Sequence, residues 1–276
     1  MNSNHFKVVV LSLLTAIGLS NAGNRAASEP PSATASSALV GHEDGPREVD
    51  VPGDELEVTI RAALKHLNPE LAPDYIGPAP VDGYQEVIVK GQVLYVSDDG
   101  KVLAQGLIDI ERKRDVAQFG AMPGRRLDAL AEIPNSERIV FAPAGEIKHT
   151  VLVFTDVECG FCRKLHQDID EYNRLGIAIE YIAFPRAGLG TPDAEKMESV
   201  WCSKDRKKAL TEAKSGAEVR APKCENPVAR HHEIGLRIGL KGTPLFINSD
   251  GVAIPSYMPP EKLMETLDKL AAQRKD

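Results

Sequence analysis

The sequence predicts an α/β domain built on a βαβ unit, preceded by a smaller strand-rich α+β unit. Two observations predict this. Thr150–Thr155 (TVLVFT) is an apolar, β-branched run. It is followed by a helical pattern from Cys159 and a second run, Ile177–Phe184 (IAIEYIAF). Strand, helix and strand in so short a span make a parallel βαβ unit. Upstream, short apolar runs between Glu86 and Ile110 flank a Ser97-Asp98-Asp99-Gly100-Lys101 turn, which is a hairpin pattern.

The chain opens on an address. Lys7 is followed by the 12-residue apolar stretch Val8–Leu19 and by the small residues of Ser20-Asn21-Ala22. This is a secretory signal pattern, with cleavage expected after Ala22. A membrane span needs about 20 apolar residues. No other run approaches that length, so the remainder is expected to be soluble. Residues 23–47 are rich in Ser, Ala, Pro and Gly and lack aromatics. Such a tail cannot bury enough apolar surface to order itself.

Lys and Arg total 33 against 40 Asp and Glu, a net charge of −7. That acidity argues against nucleic-acid partners, which need a basic surface. Export implies an oxidising compartment. Four cysteines are too few for a disulfide scaffold, so each needs its own explanation.

Residues 48–115 form the expected N-terminal unit. Leu56, Ile60, Ala63, Leu64 and Leu67 repeat at helical spacing, and Pro69 and Pro73 end the helix. Strands are expected at 86–89, 93–96, 102–104 and 107–110. So thin a unit completes its core by pairing with a second copy, which makes it a dimerisation candidate. Residues 116–134 are expected to be a linker with a helix after Pro123, carrying Leu127, Leu130 and Ile133.

Residues 135–276 hold the βαβ unit. Cys162, Leu165, Ile169, Tyr172 and Leu175 share one helical face, and Gly176 caps it. Residues 191–240 are mostly helical. Leu245–Asn248 and Val252–Ile254 flank a Ser249-Asp250-Gly251 turn, and Pro260 opens a last helix.

Cys159-Gly160-Phe161-Cys162 falls where the first strand meets its helix. Unpaired N–H groups and the helix dipole stabilise a thiolate there. The helical face buries Cys162 and leaves Cys159 exposed. An exposed attacker with a shielded resolving partner is what thiol–disulfide exchange needs. An ordinary thiol is about 3% ionised at neutral pH. Lowering its pKa by about 3 units gains about 30-fold in thiolate and loses a similar factor in nucleophilicity. The benefit lies in leaving-group quality, which predicts an oxidising pair that releases substrates readily. Glu158, next to the nucleophile, should oppose thiolate formation.

A zinc half-site is the rival reading of the motif, but no second CxxC exists and His231-His232 is not at ligand spacing. Cys202 and Cys224 most simply form a structural bridge; a second redox site is the sharper alternative. Gly242-Thr243-Pro244 precedes a strand, where Pro is tolerated at the start. The Thr243–Pro244 bond is open to either isomer.

Together these residues resemble the thioredoxin fold, and more closely the DsbC-type periplasmic disulfide isomerases of Gram-negative bacteria. The motifs are Phe154-Thr155-Asp156 before the CGFC, the pair Cys202 and Cys224, Gly242-Thr243-Pro244, and Pro259-Pro260. Pro78-Ala79-Pro80-Val81 with Gly83, and Leu94 to Lys101, extend the likeness over residues 48 to 276. The resemblance implies a homodimer. In it a cystatin-like dimerisation domain joins, through a linker helix, a thioredoxin-like domain with a helical insertion. It implies Cys159 as nucleophile, Cys162 as resolving thiol, and Cys202–Cys224 as structural disulfide. Thr243, Pro244 and Phe161, which stands where a Tyr is common, would meet the substrate. It also implies misoxidised exported proteins as substrates, a membrane reductant of the DsbD type, and no metal or cofactor. A protector of single oxidised cysteines, as in DsbG, and a dimeric chaperone are the alternative functions.

Overall fold

The computed structural model describes residues 53–111 and 113–273. The signal segment, the tail and residues 48–52 of the expected first helix lie outside them.

Helix α1 (Gly53–Leu67) precedes an antiparallel sheet of β1 (Tyr75–Pro78), β2 (Tyr84–Val89), β3 (Gln92–Ser97) and β4 (Leu103–Ala104), in that order. Alternation in β2 divides its side chains. Val87 and Val89 pack with Ile60 and Leu64 of α1, together with Leu94 and Val96. Ile88 faces the other way, onto a core shared with the rest of the chain. Strand β1 was not expected, because Gly77 and Pro78 disfavour a strand; it lies at the sheet's edge, where Pro is tolerated.

The expected strand at 107–110 is reduced to β5 (Ile108–Asp109), which pairs with β6 (Arg114–Asp115). A 3-10 turn at Val116–Gln118 follows. Helix α2 runs from Met122 to Ala131, with Pro123 in its first turn. Pro there fits because its missing N–H is an unpaired donor in any helix.

The second sheet has the order β11-β10-β8-β9-β7. It comprises β7 (Ile139–Phe141), β8 (His149–Thr155), β9 (Ile177–Ala183), β10 (Leu245–Ile247) and β11 (Ala253–Pro255). β8 and β9 are parallel, as expected of the βαβ unit, and β10 and β11 form the hairpin. β7, three residues long between prolines, was not legible.

Between β8 and β9 run α3 (Gly160–Gln167) and α4 (Ile169–Arg174). One continuous helix was expected. It breaks at Asp168 (φ −94°, ψ 13°), whose carboxylate accepts from Lys164 and from Tyr257 Oη, 2.8 Å each. Gly176, at φ +94°, ends α4 as expected. Helices α5 (Pro192–Trp201), α6 (Arg206–Lys214) and α7 (Val228–Arg237) form the insertion, and α8 (Pro260–Gln273) closes the chain.

The two faces of this sheet carry two cores. Val151, Val153, Ile179 and Tyr181 pack with Leu165, Tyr172, Trp201 and Leu210. Phe154 and Ile182 point oppositely and pack with Leu130 and Ile133 of the α2 region, Ile234 of α7, and Ile88 of the first sheet.

Candidate active site

Strand β8 ends at Thr155, and the turn Asp156-Val157-Glu158 delivers Cys159 to the N-cap of α3. Its backbone there is extended (φ −79°, ψ 119°), and its Sγ accepts from the N–H of Cys162 at 3.4 Å. The Cys159 thiol donates to the carbonyl of Thr243 at 3.2 Å. Thr243–Pro244 is a cis peptide, in the loop leading into β10. The structure therefore brings Cys159, Cys162, Thr243 and Pro244 together, with Phe161 61% exposed beside them. Cys159 and Cys162 are free thiols.

The expected exposure of Cys159 is wrong. It is 2% exposed, because its sulfur turns onto the helix start and under the Thr243 carbonyl. Cys162 is buried, as its helical face requires.

The two sulfurs titrate in opposite directions. Hydrogen bonding from Cys162 lowers Cys159 most. Burial opposes this; Thr243, the Cys162 N–H and the charge of Arg186 assist it, and the group settles at about 5. Burial pushes Cys162 far up, and its bond to Cys159 adds to that. At neutral pH one sulfur is thiolate and its partner is thiol.

Glu158, expected to oppose the thiolate, is engaged by cations. Its carboxylate pairs with Arg163 at 2.7 Å and with Lys196. The bond from Lys196 is the main reason it is held below the usual range. Glu158 is not among the main groups that shift Cys159.

Three site residues were missed by reading the sequence. Asp156, fully buried, accepts from the N–H of Glu158 (2.7 Å) and from the N–H and Nε of Arg186 (3.0 Å each). It ties the loop before Cys159 to the loop after β9. Arg186, at the C-terminal end of a parallel strand, was findable from the rule that sites gather there. Lys214, 4% exposed, donates from Nζ to Thr155 Oγ1 at 2.7 Å. Nothing in its surface-like α6 sequence signals that burial.

The other two cysteines and the histidine pair fall elsewhere. Cys202 and Cys224 form a disulfide between the end of α5 and the loop before α7. His231 is buried, accepts from the Ala183 N–H and contacts Glu137, whereas His232 stacks on Phe184.

Comparison with known proteins agrees with this geometry. Residues 31–118 match a family described as the disulfide bond isomerase protein N-terminal domain, and residues 141–271 match a thioredoxin-like domain. The thiol:disulfide interchange protein DsbC of Escherichia coli K12 is 39% identical over 195 residues, 70% of this chain and 80% of that protein. The DsbC of Dickeya dadantii is 36% identical over 220 residues, 79% of this chain and 90% of that protein. A disulfide interchange protein from Neisseria gonorrhoeae, 30% identical, aligns with 50% of this chain and 97% of its own at a TM-score of 0.45. The chain is an N-terminal DsbC-type domain followed by a thioredoxin-like domain, and it belongs to the DsbC family of thiol:disulfide interchange proteins.

Proposed function

We propose that Cys159 is the nucleophile of this interchange enzyme and Cys162 its resolving thiol. The observation that carries this reading is the placement of the Cys159 sulfur at the N-cap of α3, accepting from the Cys162 N–H at 3.4 Å, with Cys162 fully buried behind it. The Cys159 thiolate attacks a substrate disulfide, the substrate S–S bond breaks, and a mixed disulfide forms. A second substrate thiolate then attacks and releases Cys159, which isomerises the substrate. Otherwise Cys162 attacks, which reduces the substrate and oxidises the pair. The low pKa of Cys159 makes it a good leaving group in the isomerisation branch; in the reduction branch the substrate sulfur leaves instead.

Thr243, Pro244 and exposed Phe161 frame the substrate around Cys159. A groove of about 350 Å³ runs along Thr243, Pro244 and Leu245 as far as Arg126 and Gly91. The substrates are misoxidised exported proteins. Residues 1–22 direct the chain to the periplasm and 23–47 follow as a tail. Residues 48–115 pair two copies, 116–134 connect, and 135–276 carry the chemistry. Exposed Ile108 and Ile110, the latter 85% exposed, support pairing through the first region. A membrane reductant of the DsbD type returns the pair to dithiol.

The test is refolding of a small secreted protein with scrambled disulfides. Cys159→Ser should lose essentially all activity. In the unaltered chain, alkylation of Cys159 should be half-maximal near pH 5 and fall below it, since the thiolate is the reactive form. Activity retained in Cys159→Ser would overturn the assignment. Aggregation suppression surviving without exchange would show a separate chaperone role.

A further inference from the structure

Buried Lys214 has no part in the chemistry described so far, and an ammonium is not kept from water without a reason. Its surroundings are specific. His166 and Cys162 lie one turn apart on α3, and Thr211 and Lys214 one turn apart on α6. His166 Nε2 contacts Thr211 Oγ1 at 2.9 Å, which sets the register of the two helices. The charges of Cys162 and Cys159 both act on Lys214. Lys214 Nζ reaches Thr155 Oγ1 at 2.7 Å and the Asp156 carbonyl at 3.5 Å. The same Asp156 carbonyl accepts from the Cys159 N–H at 3.3 Å, so Lys214 sits against the start of the helix that carries Cys162. Lys214 and the first turn of the CGFC helix converge on one carbonyl.

We propose that Lys214 is the proton acceptor for the resolving thiol Cys162, positioned by Thr155 and the Asp156 carbonyl. This rests on the reading of Cys159 and Cys162 as nucleophile and resolving thiol. Cys162 cannot attack as a thiol, and burial opposes its ionisation. Neutral Lys214 takes the proton: the Cys162 S–H bond breaks and an N–H bond forms. The thiolate attacks Cys159 in the mixed disulfide. The Cys159–substrate S–S bond breaks, its electron pair leaves on the substrate sulfur, and a Cys159–Cys162 disulfide forms. The pair is oxidised and the substrate disulfide reduced. The ammonium left behind is held by Thr155 and the Asp156 carbonyl.

The groups around Lys214 fit this role. Thr155 and Asp156 face it from β8 and its end, and the Tyr181 ring lies 5.4 Å away on β9. Cys159, Cys162, Arg163 and His166 act on it from α3. Burial brings its pKa down to about 8, against the pull of the two sulfurs and Asp156. His166 is held at about 4 by burial first and Lys214 second, so it is neutral and does not compete as a cation. About a tenth of Lys214 is then free base at pH 7, a usable population for general-base catalysis.

The experiment is single-turnover reaction of the reduced full chain with a fluorescent peptide disulfide from pH 6 to 9. Formation of the mixed disulfide and its resolution are followed as separate phases. In the unaltered chain the resolution rate should rise to a plateau with a midpoint near pH 8. In Lys214→Met it should fall on the order of 100-fold at pH 7, with the rise displaced to higher pH. An unchanged rate and profile in Lys214→Met overturns the proposal. Should that variant melt abnormally, the unaltered chain decides: a resolution rate with no rise between pH 7 and 9 overturns the proposal. Absence of any mixed disulfide at Cys159 instead removes the underlying reading and this inference with it.

Discussion

The two larger sheets of this protein solve the same problem unequally. The five-stranded sheet is covered on both faces, by α3 to α6 and α8 on one side and by α2 and α7 on the other. The four-stranded sheet has one helix of its own, α1, and a core of six buried residues. Its second face borrows, with Ile88 packing among residues of α2 and the second sheet. Chemistry that needs sulfurs held in fixed relation sits on the covered sheet. Apolar surface is left exposed just beyond the thin sheet, at Ile108 of the β5–β6 pair and at Ile110.

This contrast can be broken most strongly at Trp201. The side chain is fully buried and its Nε1 donates to the Glu137 carbonyl at 2.8 Å. Trp201→Ala should destabilise by about 3–5 kcal/mol, read by urea unfolding. Trp201 packs on the face of the second sheet opposite the shared core; if the two faces open together, hydrogen exchange should quicken in the first sheet too. Unaltered protection there would mean that the two faces open separately.

A sharper probe lies where the regions touch. Gly91, in the β2–β3 turn (φ +73°), and Gly239, after α7 (φ +81°), approach so closely that a Cβ on Gly239 would sit 2.2 Å from the Gly91 carbonyl oxygen. Gly239→Ala adds a positive-φ conformation to that clash, and should cost about 1–3 kcal/mol. The loss should appear as faster exchange in the β2–β3 turn, with alkylation of Cys159 unaltered.

The smallest effect is expected at Glu86. Fully buried, it accepts from the Ala121 N–H at 3.1 Å and so holds the start of α2 against the first sheet. Burial raises its pKa above 4.5, against the bonds from Ala121 and Met122. The folded state therefore binds this proton more tightly than the unfolded one. Its contribution is full below about pH 4.5 and is lost as pH rises through the raised value. Glu86→Gln should remove that slope and change stability at pH 7 by about 1 kcal/mol or less. An unchanged slope in melting curves from pH 4 to 7 would contradict it.

Apolar runs made the βαβ unit legible: Val151 and Tyr181 on one face and Phe154 and Ile182 on the other are buried, with Glu180 the polar exception in β9. The helix break at Asp168 was not legible: it depends on Tyr257, 89 residues away. At the site, CGFC announced itself by spacing. The shielding of Cys159 by Thr243 and the neutralisation of Glu158 by Lys196 did not, since both partners come from distant elements. Lys214 was hidden for the same reason: its ordinary helical neighbours give no sign of the Thr155 hydroxyl it meets.

The bridge between Cys202 and Cys224 spans 22 positions and encloses α6, the helix that carries Thr211 and Lys214. Four cysteines can pair in three complete ways. Only the way that contains the observed bond leaves the two CGFC sulfurs to each other. Once the Cys202–Cys224 bond has formed, no mispairing is left among these four sulfurs. Either wrong pairing would consume the motif and leave α6 unfastened.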